Sequence, residues 1–115
     1  MGDLSKNFSR YEFSCKCGCG SDTVDVGLVY IVQAVRDHFG KPVTINSGCR
    51  CPKHNRNVGG RVKSQHLIGR AADIVVAGVA PADVANYCET LNPGGIGRYA
   101  GFTHVDSRSG SQWRG

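Results

Sequence analysis

Carboxylates are scarce in this 115-residue chain: nine acidic side chains stand against 14 lysines and arginines, for a net charge of +5 and a pI near 9.0. Any carboxylate acting as general acid or base must come from Asp3, Glu12, Asp22, Asp25, Asp37, Asp73, Asp83, Glu89 or Asp106. Long apolar runs are missing too. No stretch approaches a bilayer span, so membrane insertion is not expected. The first residues, Met1-Gly2-Asp3-Leu4-Ser5-Lys6, lack the apolar core of a secretory signal. Aromatics are few, and the tyrosines and the one tryptophan are not interleaved with the scattered basic residues as a base-stacking surface requires. The positive charge suits an anionic partner, nucleic acid or a polyanionic wall, but without such a surface specific nucleic-acid binding is not expected. A Cys-x-x-Cys knuckle is also absent, although the chain has six cysteines.

What is present suits one domain spanning residues 1–115, with a single modest core and, from 16 glycines, many turns. Ser9-Arg10-Tyr11-Glu12 has the form of a capping box, with Phe8 and Phe13 at its ends. Cys15-Lys16-Cys17-Gly18-Cys19-Gly20 reads as an extended segment whose alternate cysteines share a face, with Cys49 and Cys51 as candidate partners. Disulfides, a second, structural metal site and free thiols all stay open for it. Val24, Leu28, Ile31, Val32, Val35 and Phe39 recur at helical spacing and predict the main core helix over 24–39, ended by Gly40. His38 then sits near a helix C-terminus, which is role enough for it. Pro81 to Leu91 reads as a second helix, with Cys88 as a small buried residue.

Strands are expected near 43–47, 71–76, 96–99 and 102–106, the last two joined by a turn at Ala100-Gly101. The fold class is therefore α+β, a small antiparallel sheet with helices packed on one side. The polar tail 107–115 is expected to fray, with Trp113 its one docking residue.

The chemistry gathers around Ser64-Gln65-His66-Leu67-Ile68-Gly69-Arg70-Ala71-Ala72-Asp73 and the later Phe102-Thr103-His104-Val105-Asp106. His66, Asp73 and His104 supply two imidazoles and a carboxylate, the set a catalytic zinc ion takes when its fourth position is left to water. Asp73 lies in an apolar strand, where an unpaired carboxylate is costly without a cation or donors. A lone histidine is more often a packed or surface residue, and a lone aspartate a cap. Three such residues around a glycine turn set a metal-dependent hydrolase beside these bland roles, and spacing alone leaves both open. Period-two alternation puts Phe102, His104, Asp106 and Arg108 on one face and brings Asp106 toward the metal. Asp106 is thus the candidate catalytic base, or else an acceptor that orients an imidazole. Ser64 and Gln65 are candidates to bind substrate or to fix their loop.

Ser47-Gly48-Cys49-Arg50, His54-Asn55, Val58-Gly59-Gly60, Ser64-Gln65-His66, Gly69, Ala71-Ala72-Asp73 and His104-Val105-Asp106 together resemble the zinc D-Ala-D-Ala carboxypeptidase family, peptidase family M15, over most of the chain. The resemblance implies a hedgehog/DD-peptidase-like fold, with zinc held by His66, Asp73 and His104 and a substrate carboxylate held by Arg50. It implies hydrolysis of peptidoglycan stem peptides, either terminal D-Ala-D-Ala or internal L-Ala-D-Glu. With no signal core seen, a monomer made in the cytoplasm and acting at the bacterial wall after release is expected, as for a phage or bacterial lysis enzyme, and a mature chain whose leader has been removed fits as well. Many members carry a histidine two residues before the last ligand, or a glutamate three before it, as base; here Phe102 and Gly101 stand there. The alternative is a non-catalytic zinc-containing wall- or ligand-binding module of the same fold.

Overall fold

The computed structural model describes residues 4–60, 64–91 and 94–108, and residues 113–114 as backbone. Helix α1 spans Val26–Phe39. It starts two residues later than the apolar period suggests because Asp25 is its cap, accepting from Gly27 N at 3.1 Å. Strand β1 is Val43–Ser47, the short helix α2 is Pro52–Asn57, and β2 is Ala71–Val76. Helix α3 covers Pro81–Thr90, followed by β3 (Gly95–Arg98), β4 (Thr103–Asp106) and β5 (Trp113–Arg114). Short 3-10 turns at Arg10–Phe13 and Gln65–Ile68 complete the elements among the described residues.

The sheet runs in the order β1-β2-β4-β3-β5. Its first four strands are antiparallel, as expected, and β5 adds a parallel pairing to β3. The expected fraying of the tail is thereby corrected at 113–114, whose backbone finds donors and acceptors on the edge of β3. Docking of the Trp113 side chain lies outside the described residues. A second correction concerns 15–20, which is a tight loop and not an extended segment. Left-handed Gly18 and Gly20 turn the backbone there.

Alternation along the central strands sets up the two faces. Ala72, Ile74 and Val76 of β2 and Val105 of β4 point into a core built with Leu28, Val32 and Val35 of α1 and Val84, Ala85 and Cys88 of α3. Asp73, His104 and Asp106 fall on the opposite face by the same period. That face is covered by the loops carrying Arg50, Asn55 and His66, so β4 is buried on both sides. None of the described helices is long and apolar enough to cross a membrane.

Candidate metal centre

Asp73 and His104 are register partners across β2 and β4, which brings together two residues 31 apart in sequence. Pairing of Ser47 with Asp73 follows a register irregularity in β1, of the kind that often re-aims side chains beside a site. His66 arrives on the 3-10 turn. The Ser64 hydroxyl caps that turn by accepting from His66 N at 3.1 Å. Gly69 ends it with φ 71°, its carbonyl accepting from Asp25 N at 2.8 Å, while a Cβ at this position would run into the Thr23 carbonyl. The chain can therefore reverse between the first two candidate ligands only with glycine there.

Both imidazoles have one nitrogen committed away from the cleft. His66 Nδ1 lies 2.7 Å from the Gly48 carbonyl oxygen, an acceptor only, so Nδ1–H donates and Nε2 faces Asp73 Oδ1 at 3.2 Å. His104 Nε2 meets Asp106 Oδ2 at 2.9 Å, and Nδ1 faces Asp73 Oδ1 at 3.1 Å. His66, Asp73 and His104 are all buried, and one donor atom from each lies within 4.8 Å of the others.

Charge is balanced tightly around this point. Burial pushes the Asp73 carboxyl up, but hydrogen bonds from His104 and His66 and their positive charge outweigh it and hold the group well below the carboxylate range. For His104 burial acts downward, while hydrogen bonds to Asp106 and Asp73 and the attraction of both carboxylates raise it overall. The other Asp73 oxygen takes Arg50 Nη2 at 3.1 Å. Arg50 also donates from Nε to Ser47 Oγ at 3.0 Å and from Nη1 to Asn55 Oδ1 at 3.2 Å.

Asp106 sits behind the His104 ring instead of facing the Asp73 side. It is fully buried, and Arg108 clasps it through Nε at 2.9 Å and Nη2 at 2.6 Å. Burial raises this carboxyl, while the hydrogen bonds from His104 and Arg108 bring it down to about 2. A Cβ on Gly95, the register partner of Asp106, would strike its carboxylate.

In front of the three candidate ligands opens a cleft of about 460 Å³, lined also by Arg50, Ser64, Gln65, Tyr99, Phe102 and Arg108. Tyr99 and Phe102 stack at 4.6 Å and wall one side. Gln65 Oε1 is buried with no hydrogen-bond partner among the described residues. Gly48, Asn55 and Arg108 were not singled out by the sequence as site residues. Asn55 stands in the His54-Asn55 piece of the resemblance without a role, and Gly60 belongs with it, because a Cβ there would occupy the place of the Asn55 carboxamide.

The donor set fits a divalent zinc ion. Each histidine has one nitrogen tied to an oxygen outside the cleft and the other turned to a shared point with Asp73 Oδ1, as an outer hydrogen bond to a ligating imidazole does. An antiparallel sheet with helices on one face and a His-Asp-His cluster opening to a cleft on the other defines the class, a small α+β domain with a candidate metal centre. Within that class the chain belongs to the Peptidase M15 family, which residues 6–106 match. It is 38% identical over 89 residues to a zinc D-Ala-D-Ala carboxypeptidase of Streptomyces albus G, covering 71% of this chain and 34% of that protein. It is 29% identical over 100 residues to the peptidoglycan L,D-endopeptidase MepK of Escherichia coli K12, covering 79% of this chain and 55% of that one. The chain thus spans between a third and just over half of the length of these relatives.

Proposed function

We propose that residues 1–115 form one zinc metallopeptidase domain, acting as a monomer on peptidoglycan stem peptides at the bacterial wall. The observation that carries this reading is the convergence of His66 Nε2, Asp73 Oδ1 and His104 Nδ1 at the floor of an open cleft. Family membership and the wall-directed names of the relatives support the substrate class. His66, Asp73 and His104 would hold the zinc ion, which would supply Lewis-acid polarisation of an amide carbonyl and lower the pKa of water to about 7.

The chain's own groups do the rest. The Gly48 carbonyl and Asp106 fix the two rings, and Arg50 steadies Asp73. Asp106 is a positioning residue in this reading, because both its oxygens are spent on His104 and Arg108 beneath the cleft. Gln65 Oε1 accepts from a substrate N–H, which gives that buried oxygen its partner. Ser64 contributes by holding the turn beneath Gln65. The guanidinium of Arg50, which lines the cleft, favours a substrate with a free carboxylate near the cut. The stacked Tyr99 and Phe102 rings give the stem peptide an apolar wall.

Among the described residues, Asp73 is the only carboxylate lining the cleft. This favours, as the second reading, a zinc-containing module that binds wall peptides without cutting them. Purified muropeptides incubated with the zinc-supplemented protein, then analysed by mass spectrometry, decide between the two. Loss of a terminal D-Ala, or scission at L-Ala-D-Glu, abolished by chelation and restored by zinc, is the expected outcome. Intact muropeptides that nevertheless bind the zinc-loaded protein support the module instead.

A further inference from the structure

The six cysteines do not share one setting. Cys15, Cys49 and Cys88 are buried, where a thiol can serve as a small apolar side chain, and Cys51 is half-buried. Cys17 and Cys19 are exposed, and packing gives no reason for either. They belong to a loop closed by Cys15 N donating to the Ser21 carbonyl at 2.7 Å and Gly18 N to the Cys15 carbonyl at 3.2 Å. Gly18 at φ 82° and Gly20 at φ 90° turn the chain between the cysteines. Cys51 comes to the same place from another direction, as the residue that caps α2.

The sulfurs of Cys15, Cys17, Cys19 and Cys51 all lie within 4.8 Å of one another. Cys15 and Cys17 are 3.4 Å apart and Cys17 and Cys51 3.6 Å. These are not disulfide lengths, which are about 2.05 Å. A tetrahedron of sulfurs around zinc, with bonds of about 2.3 Å, has edges of about 3.8 Å. Backbone N–H groups already point at two of the sulfurs, Cys51 N at Cys15 Sγ and His54 N at Cys51 Sγ, both at 3.4 Å. Such donors stabilise thiolate over thiol. Four sulfur donors with no position left over suit a structural zinc ion.

We propose that Cys15, Cys17, Cys19 and Cys51 hold a structural zinc ion, separate from the His66-Asp73-His104 centre. The ion ties the 15–21 loop to the segment carrying Arg50. That segment already leans on the same neighbourhood, with Cys49 N donating to the Phe13 carbonyl at 2.7 Å and Arg50 N to the His66 carbonyl at 2.9 Å. Losing the ion therefore loosens the wall that holds Arg50 against Asp73.

Zinc per chain is measured by plasma mass spectrometry on protein purified under reducing conditions, for the wild type, Cys17→Ser and His104→Ala. The expected counts are two, one and one. The cobalt-loaded His104→Ala variant should retain a thiolate-to-metal charge-transfer band in the near ultraviolet that Cys17→Ser lacks. A wild type with one zinc that Cys17→Ser keeps and His104→Ala loses overturns the cysteine site while leaving the other centre standing. Thiol titration of the native wild type covers the case in which the variants fail to fold. Cys17 and Cys19 should resist an aromatic disulfide reagent until a chelator is added, and immediate reaction of both refutes the proposal.

Discussion

Each imidazole at the centre has a fixed outer partner, and the partners differ in kind. Gly48 offers a neutral backbone carbonyl to His66, whereas Asp106 offers His104 a full charge, itself balanced by Arg108. Asp106→Asn should therefore weaken zinc binding roughly 10–100-fold, as loss of an outer partner does, and destabilise the fold by about 3 kcal/mol because it removes the buried charge paired with His104 and Arg108. Zinc titration followed by turnover at saturating zinc checks this. Activity restored to within about tenfold fits a positioning role, while a loss of a hundredfold or more with zinc fully bound would make Asp106 the base. Arg50→Lys keeps the charge but cannot span Ser47, Asn55 and Asp73 together. It should raise KM for a substrate with a free carboxylate more than it lowers kcat, measured by steady-state kinetics. Residue type, the glycine turn and the resemblance to family M15 together suggest His66, Asp73 and His104 as a group, whereas Arg50 comes from that resemblance alone; the structure brings the four side chains together. Strand alternation puts Arg108 on the His104 face without revealing that it clasps Asp106, and Gly48 and Asn55 carry no assigned role, since a carbonyl acceptor has no side-chain signature and Asn55 acts through a partner fixed only by the fold.

At the scale of elements, the 3-10 turn from Gln65 to Ile68 and strand β2 must meet at a set angle, and Gly69 sets it. Gly69→Ala combines a left-handed backbone with collision against the Thr23 carbonyl. It should cost roughly 2–3 kcal/mol and lower zinc affinity with it, measured by chemical denaturation and zinc titration. In α3, burial pushes the Cys88 thiol from 9.0 up to about 12. The unfolded chain then loses this proton at lower pH than the folded one. The associated stability is present below pH 9.0 and declines as pH rises toward 12. Denaturation curves from pH 8 upward should show that decline, and Cys88→Ala should flatten it. The helix and strand patterns read from sequence recur within one or two residues at α1, β1, β2 and α3, because one-sided burial writes a helical period into α1 and α3 while β-branched and apolar runs mark β1 and β2. The 15–21 loop and β5 broke the reading for a different reason. Two left-handed glycines override the alternation of an extended segment, and a two-residue strand is too short to have a period.

Across the whole molecule, one sheet does two jobs. Its inner face packs Ile74 and Val76 of β2, Ile96 of β3 and Val105 of β4 against α1 and α3, and its outer face carries the polar cluster on β2 and β4. Core and centre are thus coupled through β2 and β4. Ile74→Ala, directly beside Asp73 and fully buried, should destabilise by about 2–5 kcal/mol, with zinc affinity falling in step because the two strands carry both sets of side chains. Thermal melts with and without zinc test that coupling; equal shifts in both would show the centre to be independent of the core. The claim on which the functional account depends is that His66, Asp73 and His104 share one ion. Anomalous diffraction at the zinc edge from zinc-grown crystals of the wild type tests it most directly. The account predicts a strong peak bounded by His66 Nε2, Asp73 Oδ1 and His104 Nδ1. Density there that holds no metal, with the two rings still bonded to Asp73 at full zinc saturation, would contradict it.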